Sequence, residues 1–206
     1  PLLCRAGVSD PALENFEVPC GHETRFLQTS PEYAMKRLLA AGSGDIFQIC
    51  KAFRWEEQGV RHNPEYTLLE WYRLGIDHYQ LAREVGERVA AVLERPGWQI
   101  WSWQAIFQGV LGAGAHAAPR EELEALAMSH LGEIPLGLDR NSLLDLLMRH
   151  CVEPGITDWG IVFIIDYPAS QAALAQQILD VAGEPRGARF ECYVDGTELA
   201  NGYWEC

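Results

Sequence analysis

Two runs of strand-forming residues, at 46–53 and 67–72, constrain the fold of this 206-residue chain more than any other feature. Both runs alternate along their length and are rich in β-branched and aromatic residues, which favour strands. The polar loop between them contains Gly59 and Pro64, which interrupt regular structure. The segment is therefore predicted to be a long β-hairpin.

The same hairpin carries charged and hydroxyl groups where a sheet face is expected. Residues two apart on a strand point to the same face. Arg54 therefore shares a face with Glu56, and Glu70 shares a face with Tyr72. Because burial of such groups without partners is costly, these side chains are predicted to surround a ligand that carries both anionic and cationic groups.

A second hairpin is predicted near the end of the sequence, with Asp195-Gly196 as its two-residue turn. That turn places Tyr193 opposite Glu198 and leaves Glu191 one diagonal step from Glu198, on the same face. Two carboxylates so placed either repel each other or share a cation, and Mg²⁺ commonly bridges carboxylates and nucleotide phosphates. The plainer alternative is a pair of solvated strand carboxylates.

Helices and a buried strand separate the two hairpins. Ser30-Pro31 predicts one helix start, and Asp77 predicts another. Further helices are expected near 121–131 and 141–151, and the continuous apolar run 160–166 is typical of a central strand. The apolar face of the helix after Asp77 is expected to comprise Leu81, Val85, Val89 and Val92.

This pattern predicts the α+β class, with an antiparallel sheet backed by helices. Residues 98–118 show no clean period, and 98–155 is interpreted as a possible helical insertion. The six cysteines are scattered without a C-x-x-C pair, which favours free thiols in a reducing cytoplasm over disulfides or zinc. No apolar run reaches the ~20 residues of a membrane helix.

The net charge of the chain argues against a nucleic acid as its partner. The chain has 29 acidic and 16 basic residues, a net charge of −13, and no cluster of lysine and arginine. Proteins that bind nucleic acid normally present a basic face, because neutralisation of phosphates supplies much of their affinity. The balance therefore weighs against a tRNA-binding role. The sequence also lacks a P-loop, so any ATP site is of another kind.

Three motifs carry a family resemblance. Arg54-x-Glu56, followed by 61–66 (RHNPEY), is similar to motif 2 of class II aminoacyl-tRNA synthetases in the lysyl form. The segments 29–33 (TSPEY) and 198–205 (ELANGYWE) resemble a branch of that family, the truncated paralogues of lysyl-tRNA synthetase that attach (R)-β-lysine to elongation factor P. The resemblance covers nearly the whole chain and implies the class II catalytic core as its fold.

The resemblance implies an ATP site with Mg²⁺. Arg54 would bind the α-phosphate as the catalytic residue, since a guanidinium pairs with phosphate and stabilises charge that develops there. Glu191 and Glu198 would hold the magnesium. The ATP-binding positions that match the family are Arg54, Glu56, Arg61, His62, Asn63, Tyr66, Glu198 and Leu199.

The resemblance also implies a pocket for a diamino acid, lysine or (R)-β-lysine, without indicating which isomer is preferred. Carboxylates around a buried ammonium satisfy both charges. The alternative for Glu32 is an acid that complements a helix dipole, and for Glu70 a cross-strand ion-pair partner. The matching positions are Ser30, Pro31, Glu32, Glu70, Tyr72, Asn201 and Glu205.

The implied activity is an ATP-dependent ligase that activates the amino acid as an adenylate and transfers it to a lysine side chain of elongation factor P. Such an enzyme would be cytoplasmic and homodimeric, with tRNA an unlikely partner. Residues 1–206 are expected to be a single catalytic domain that is incomplete at both ends, beginning at the close of motif 1 and ending before motif 3. The alternatives are the catalytic domain of a lysyl-tRNA synthetase and an inactive synthetase-like binding module.

Overall fold

The computed structural model describes residues 1–8, 13–55 and 63–205. The chain divides into two compact units, Pro1–Gly75 and Ile76–Cys206. Helices and mostly antiparallel strands confirm the α+β class. Antiparallel pairing dominates as expected, but the described strands form three sheets rather than one, and the largest contains one parallel pair. A helical crossover causes that exception, since it returns the chain in the same direction.

The first unit contains a small sheet, one helix and the predicted long hairpin. The hairpin is confirmed: its two strands pair from Ile46 opposite Tyr72 to Phe53 opposite Glu65, without a register shift. The second strand begins two residues earlier than expected, at Glu65. The elements are β1 (Leu3–Cys4), β2 (Glu17–Cys20), β3 (Glu23–Leu27), α1 (Glu32–Ala40), β4 (Ile46–Phe53) and β5 (Glu65–Tyr72).

The segment before α1 is fixed against β4. The amide of Gln28 donates to the carbonyl of Lys51 at 2.8 Å, and the N–H of Phe53 donates to the carbonyl of Gln28 at 2.9 Å. The helix begins at Glu32, one residue after the predicted start, and the hydroxyl of Ser30 accepts the Glu32 N–H at 3.0 Å. The first turn of α1 is thereby held beside the hairpin.

The second unit is built on a five-stranded sheet with the order β10-β9-β7-β6, in which β8 pairs with β9. The strand predicted at 160–166 is β7, and it lies between β6 and β9 with every residue buried except the half-buried Asp166. The strands are β6 (Gln99–Ser102), β7 (Ile161–Pro168), β8 (Gln177–Leu179), β9 (Pro185–Val194) and β10 (Thr197–Tyr203).

The predicted helices of this unit are confirmed within a few residues. Side chains of the helices between Trp103 and Val152, together with those of β7 and β9, form its main apolar cluster. The helices in 98–155 thus belong to the core of the unit, and their status as a family insertion stays a prediction. The helices are α2 (His78–Val92), α3 (Trp103–Leu111), α4 (Arg120–Leu131), α5 (Arg140–Leu147), a π-helical turn (Met148–Val152) and the short α6 (Glu153–Gly155).

Helix α2 corrects one expectation. Asp77 caps it as predicted, with its carboxylate accepting the Gln80 N–H at 2.8 Å. Of the expected stripe, Val85 is buried as predicted, Leu81 and Val89 are partly buried, and Val92 is 81% exposed. The other buried positions are mostly smaller residues. A Cβ at Gly86 would lie 2.6 Å from the ring of Trp98, so close packing selects small side chains on this face. The buried positions are His78, Ala82, Val85, Gly86 and Ala90.

The C-terminal hairpin has the predicted register at its turn, with Val194 opposite Thr197 and Tyr193 opposite Glu198. Both turn residues have positive φ, 49° at Asp195 and 74° at Gly196, as a tight hairpin turn of the primed type requires. A bulge that was not predicted follows Glu198. It shifts the pairing by one residue, so that Asn201 lies opposite Glu191.

Two further expectations concern thiols and membranes. The five described cysteines are free, as predicted, and Cys206 lies outside the described residues. Among the helices of the described ranges, none combines the length and apolar character that a bilayer crossing requires.

Candidate functional site

One carboxylate cluster lies in the first unit, where α1 begins beside β5. Glu70 accepts a hydrogen bond from the Tyr72 hydroxyl at 2.8 Å, and Ser30 also donates to it. Glu32 is paired with Lys36 at 2.7 Å, one helical turn away. The structure therefore brings together four of the residues expected around the amino acid: Ser30, Glu32, Glu70 and Tyr72.

The two acids of this cluster differ in charge compensation. Burial raises the pKa of Glu70, and the nearby carboxylate of Glu32 raises it further, while the hydroxyl donors act in the opposite direction. Glu32 has the ammonium of Lys36 as a direct partner. A substrate ammonium beside Glu70 would stabilise its ionised form, because an opposite charge favours ionisation.

The predicted α-phosphate ligand follows the first strand of the hairpin. The guanidinium of Arg54 lies over the ring of Tyr66, 5.4 Å from its centroid, and the Arg54 N–H donates to the carbonyl of Pro64 at 3.0 Å. The Tyr66 hydroxyl donates to the carbonyl of Thr29 at 3.4 Å. Arg54 and Tyr66 are thus neighbours, whereas Asn63 is exposed. Glu56, Arg61 and His62, also expected in the ATP site, lie outside the described residues.

A second carboxylate cluster lies on the C-terminal hairpin. Oε2 of Glu191 accepts the hydroxyls of Tyr167 and Tyr193, each at 2.6 Å. Oε1 of Glu191 is bonded to Nη2 of Arg189. The side chains of this buried ion pair are only 13% exposed for Arg189 and 15% for Glu191. Glu191 is therefore a firmly held side chain with three hydrogen-bond donors around it.

The carboxylate of Glu198 has weaker hydrogen-bond support than that of Glu191. Its Oε1 accepts the amide of Asn201 at 3.4 Å, a contact that the bulge after Glu198 permits. Although the residue is exposed at the surface, protein atoms around the carboxyl raise its pKa to about 7, first through burial and then through Glu191. A bound cation would relieve both effects.

Both acids line a cavity of about 610 Å³. Its opposite wall comes from α5 and the π-helical turn that follows it. Burial and then Glu191 raise the pKa of Asp145 on that wall, so the cavity is acidic as a whole. The polar residues that line it are Asn141, Asp145, Arg149, Glu153, Tyr167, Ser170, Gln171, Arg189, Glu191, Tyr193 and Glu198.

The carboxylate pair fits a magnesium ion that is shared with a ligand. Mg²⁺ usually takes one or two protein carboxylates and completes its shell with water and substrate phosphates. Glu198 offers its carboxylate, and Glu191 keeps acceptor capacity on Oε1 beyond the bond to Arg189. Within the described ranges, no group of three or more acidic, histidine or cysteine side chains forms a self-sufficient metal cage.

Three further predicted residues lie within the described ranges. Pro31 is buried as the residue before α1, and Leu199 is the exposed residue at the bulge. The carbonyl of Glu205 accepts the amide of Gln176 at 3.0 Å, which anchors the chain after β10.

Sequence reasoning missed the groups that hold Glu191. Arg189 and Tyr193 alternate with it along β9, so the period of two was a usable signal for them. Tyr167 comes from β7, 24 positions away, and no local pattern indicates its contact. Arg189 also stacks on the rings of Tyr167 and Tyr203, at 4.4 and 5.2 Å from their centroids.

Comparison with known proteins confirms the resemblance. Relatives named elongation factor P–(R)-β-lysine ligase occur in Mannheimia succiniciproducens (45% identical), Pasteurella multocida (42%) and Pseudoalteromonas translucida (46%). The alignments cover 100% of this chain and 65% of each relative. The model of the family described as tRNA synthetases class II (D, K and N) matches residues 1–206. The chain therefore belongs to the class II tRNA synthetase family of the D, K and N type.

Proposed function

We propose that this protein activates lysine or (R)-β-lysine with ATP and transfers it to a lysine side chain of elongation factor P. Relatives at 42–46% identity that are named for this activity align with the whole of the chain. The observation that carries the proposal is the placement of the motif acids Glu70, Glu191 and Glu198 in two clusters suited to cations. The two units are proposed to be parts of the class II catalytic core.

The motif 2 hairpin is proposed to contact ATP. Arg54 is proposed to bind the α-phosphate, with Tyr66 beside it as the aromatic contact for adenine. Arg61, His62, Asn63 and Glu56 are proposed to complete the nucleotide contacts. Magnesium held by Glu198 and Glu191 would neutralise charge on the phosphates of ATP.

The diamino acid would be bound by the cluster around Glu70. Glu70 and Tyr72 present an acceptor and a hydroxyl on one face of β5, and Ser30 orients the Glu70 carboxylate from the neighbouring turn. Glu32, which is paired with Lys36, is proposed to contact one substrate amine. Asn201 and Glu205 are proposed as further contacts to the amino acid.

The reaction has two bond exchanges. A carboxylate oxygen of the amino acid attacks the α-phosphorus of ATP and pyrophosphate leaves, which gives the aminoacyl adenylate. The side-chain amine of the protein substrate then attacks the adenylate carbonyl, and AMP leaves as the amide forms. Arg54 stabilises the charge that develops on the phosphate, and the clusters orient the reactants, so no covalent bond to the enzyme is required.

A homodimer in the cytoplasm is part of the same proposal. The net charge of −13 supports a protein rather than a tRNA as the acceptor, because a tRNA-binding surface requires excess positive charge.

Mass spectrometry of elongation factor P tests the proposal. The intact protein is incubated with ATP, magnesium and (R)-β-lysine or lysine, and a mass increase of one aminoacyl group on elongation factor P is expected. Arg54→Ala should abolish the increase. Arg88→Ala, which removes an exposed guanidinium of α2, should leave it unchanged. Charging of tRNA in place of the protein would instead indicate a lysyl-tRNA synthetase, and absence of amino-acid-dependent pyrophosphate exchange an inactive module.

A further inference from the structure

The carboxylate of Glu191 has few acceptor positions left. A carboxylate offers about four lone-pair positions, two on each oxygen. Tyr167 and Tyr193 occupy both positions of Oε2, and Arg189 occupies one position of Oε1. Among the described residues these donors account for three of the positions, so a single one on Oε1 remains for a cation.

The three donors are held in place by burial and by their own contacts. Tyr167 and Tyr193 are 4% and 1% exposed, so their hydroxyls have little access to water as an alternative partner. Arg189 donates to the carbonyl of Gln171 at 2.9 Å and stacks on the ring of Tyr167. Rotation of the Glu191 carboxylate to present both oxygens to an ion would break two buried hydrogen bonds.

This restriction matters for the choice of ion. Mg²⁺ requires octahedral geometry, and a single oxygen from each carboxylate suits it. Ca²⁺ is larger, takes six to eight oxygens and commonly binds carboxylates through both oxygens at once. A carboxylate limited to one bond therefore discriminates against calcium.

We propose that Tyr167 and Tyr193 are positioning residues that make the Glu191–Glu198 site select magnesium over calcium, by reserving Oε2 of Glu191. The inference rests on the proposed function, because it takes the magnesium site of that function as given. It assigns the two hydroxyls a role in ion selectivity in addition to the fixing of Glu191.

The test is a direct measurement of ion binding. Mn²⁺ bound to the intact protein in the presence of ATP is followed by electron paramagnetic resonance and displaced by Mg²⁺ or Ca²⁺ in separate titrations. In the double variant Tyr167→Phe/Tyr193→Phe, the ratio of the two displacement constants should shift toward calcium by about tenfold, the scale of changes in the groups that orient metal ligands. Each single variant should shift it by a smaller factor, and either can replace the double variant if that protein does not fold.

Tyr79→Phe is the matched control, because the Tyr79 hydroxyl also donates to a carboxylate of this unit, that of Asp166. Its selectivity ratio should equal that of the wild type. An unchanged ratio in folded Tyr167→Phe and Tyr193→Phe would overturn the inference while leaving the magnesium site intact. Failure of the wild type to bind Mn²⁺ in the presence of ATP, or undiminished binding in Glu198→Gln, would contradict the magnesium site of the proposed function itself.

Discussion

The two carboxylate clusters follow the same plan with different degrees of enclosure. In the first unit Glu32 is paired with Lys36, and the pKa of Glu70 is raised. In the second unit Glu191 is paired with Arg189, and the pKa of Glu198 is raised to about 7. Each cluster thus combines one acid that has a cationic partner in the protein with one acid whose ionised form is disfavoured.

The clusters differ in how deeply the ion pair of each one is buried. Lys36 and Glu32 are 32% and 31% exposed, and their contact joins adjacent turns of one helix. Arg189 and Glu191 are about half as exposed, and two buried tyrosines support the acid. The second cluster is thus the more tightly held of the two, which agrees with its proposed role as an ion site, and the more exposed first cluster agrees with its proposed role as a diamine site.

The largest expected effect is on stability. Glu191→Gln leaves the buried guanidinium of Arg189 without its charge partner, and such losses cost about 3 kcal/mol or more. Glu32→Gln removes a half-exposed helical pair and should cost about 0.5 kcal/mol. Urea unfolding of both variants measures the difference. Equal destabilisation would mean that the two pairs are not distinguished by burial.

The next prediction is that substitutions in the two clusters affect different ligands. Glu198→Gln should raise the magnesium concentration at half-maximal pyrophosphate exchange by about 100-fold and leave the KM for lysine nearly unchanged, because a metal ligand is lost. Glu70→Gln should raise the KM for lysine by about 100-fold and leave the magnesium dependence unchanged, because a charged hydrogen bond is lost. Effects of both variants on the same ligand would contradict the division of roles.

A smaller effect concerns pH. The pKa of Glu198 is about 7 in the folded protein against an ordinary value of 4.5, so the folded state holds its proton more tightly. Its contribution to stability is therefore complete below about pH 4.5 and is lost as the pH rises toward 7. Glu198→Gln should flatten this part of the stability profile. Urea unfolding between pH 4 and 8 without divalent cations provides the measurement.

Magnesium binding should show the opposite trend, because the cation requires the ionised carboxylate. Below about pH 7 the affinity should fall by about tenfold for each pH unit. The same profile in Glu198→Gln would show that another group controls it.

The smallest effect is expected from Tyr72→Phe. The variant removes the 2.8 Å hydrogen bond to Glu70 and keeps the ring. A single hydrogen bond of this kind contributes about 1 kcal/mol, so the KM for lysine should rise by about fivefold. Steady-state pyrophosphate exchange measures it, with Tyr33→Phe on the exposed side of α1 as the control. A change as large as that of Glu70→Gln would show that Tyr72 itself carries the ammonium contact.

Local patterns predicted the parts of the fold that depend on neighbouring residues. The alternation of 46–53 and 67–72 indicated β4 and β5, and Asp195-Gly196 indicated the turn and initial register of the last hairpin. The bulge after Glu198 was not predictable, because a one-residue insertion into a ladder leaves no clear periodic mark. Without it, Ala200 would lie opposite Glu191 and Asn201 would face the other side of the sheet.

The face of α2 shows a second limit. Counting apolar residues selected Val85 correctly but also Val89 and Val92. The helix instead buries Ala82, Gly86 and Ala90, and the ring of Trp98 lies close to it at Gly86. Helical spacing describes the helix alone, whereas the size of its neighbour decides which apolar side is covered.

The sequence by itself determined the hairpins and the carboxylates that they carry, since side-chain period and turn chemistry act over a few residues. Only the tertiary structure decided which of those carboxylates are already satisfied. The hydroxyl of Tyr167 reaches Glu191 from another strand of the sheet, across 24 positions of the chain. Such contacts arise when distant segments pack together, and they determine which acids remain available for a ligand.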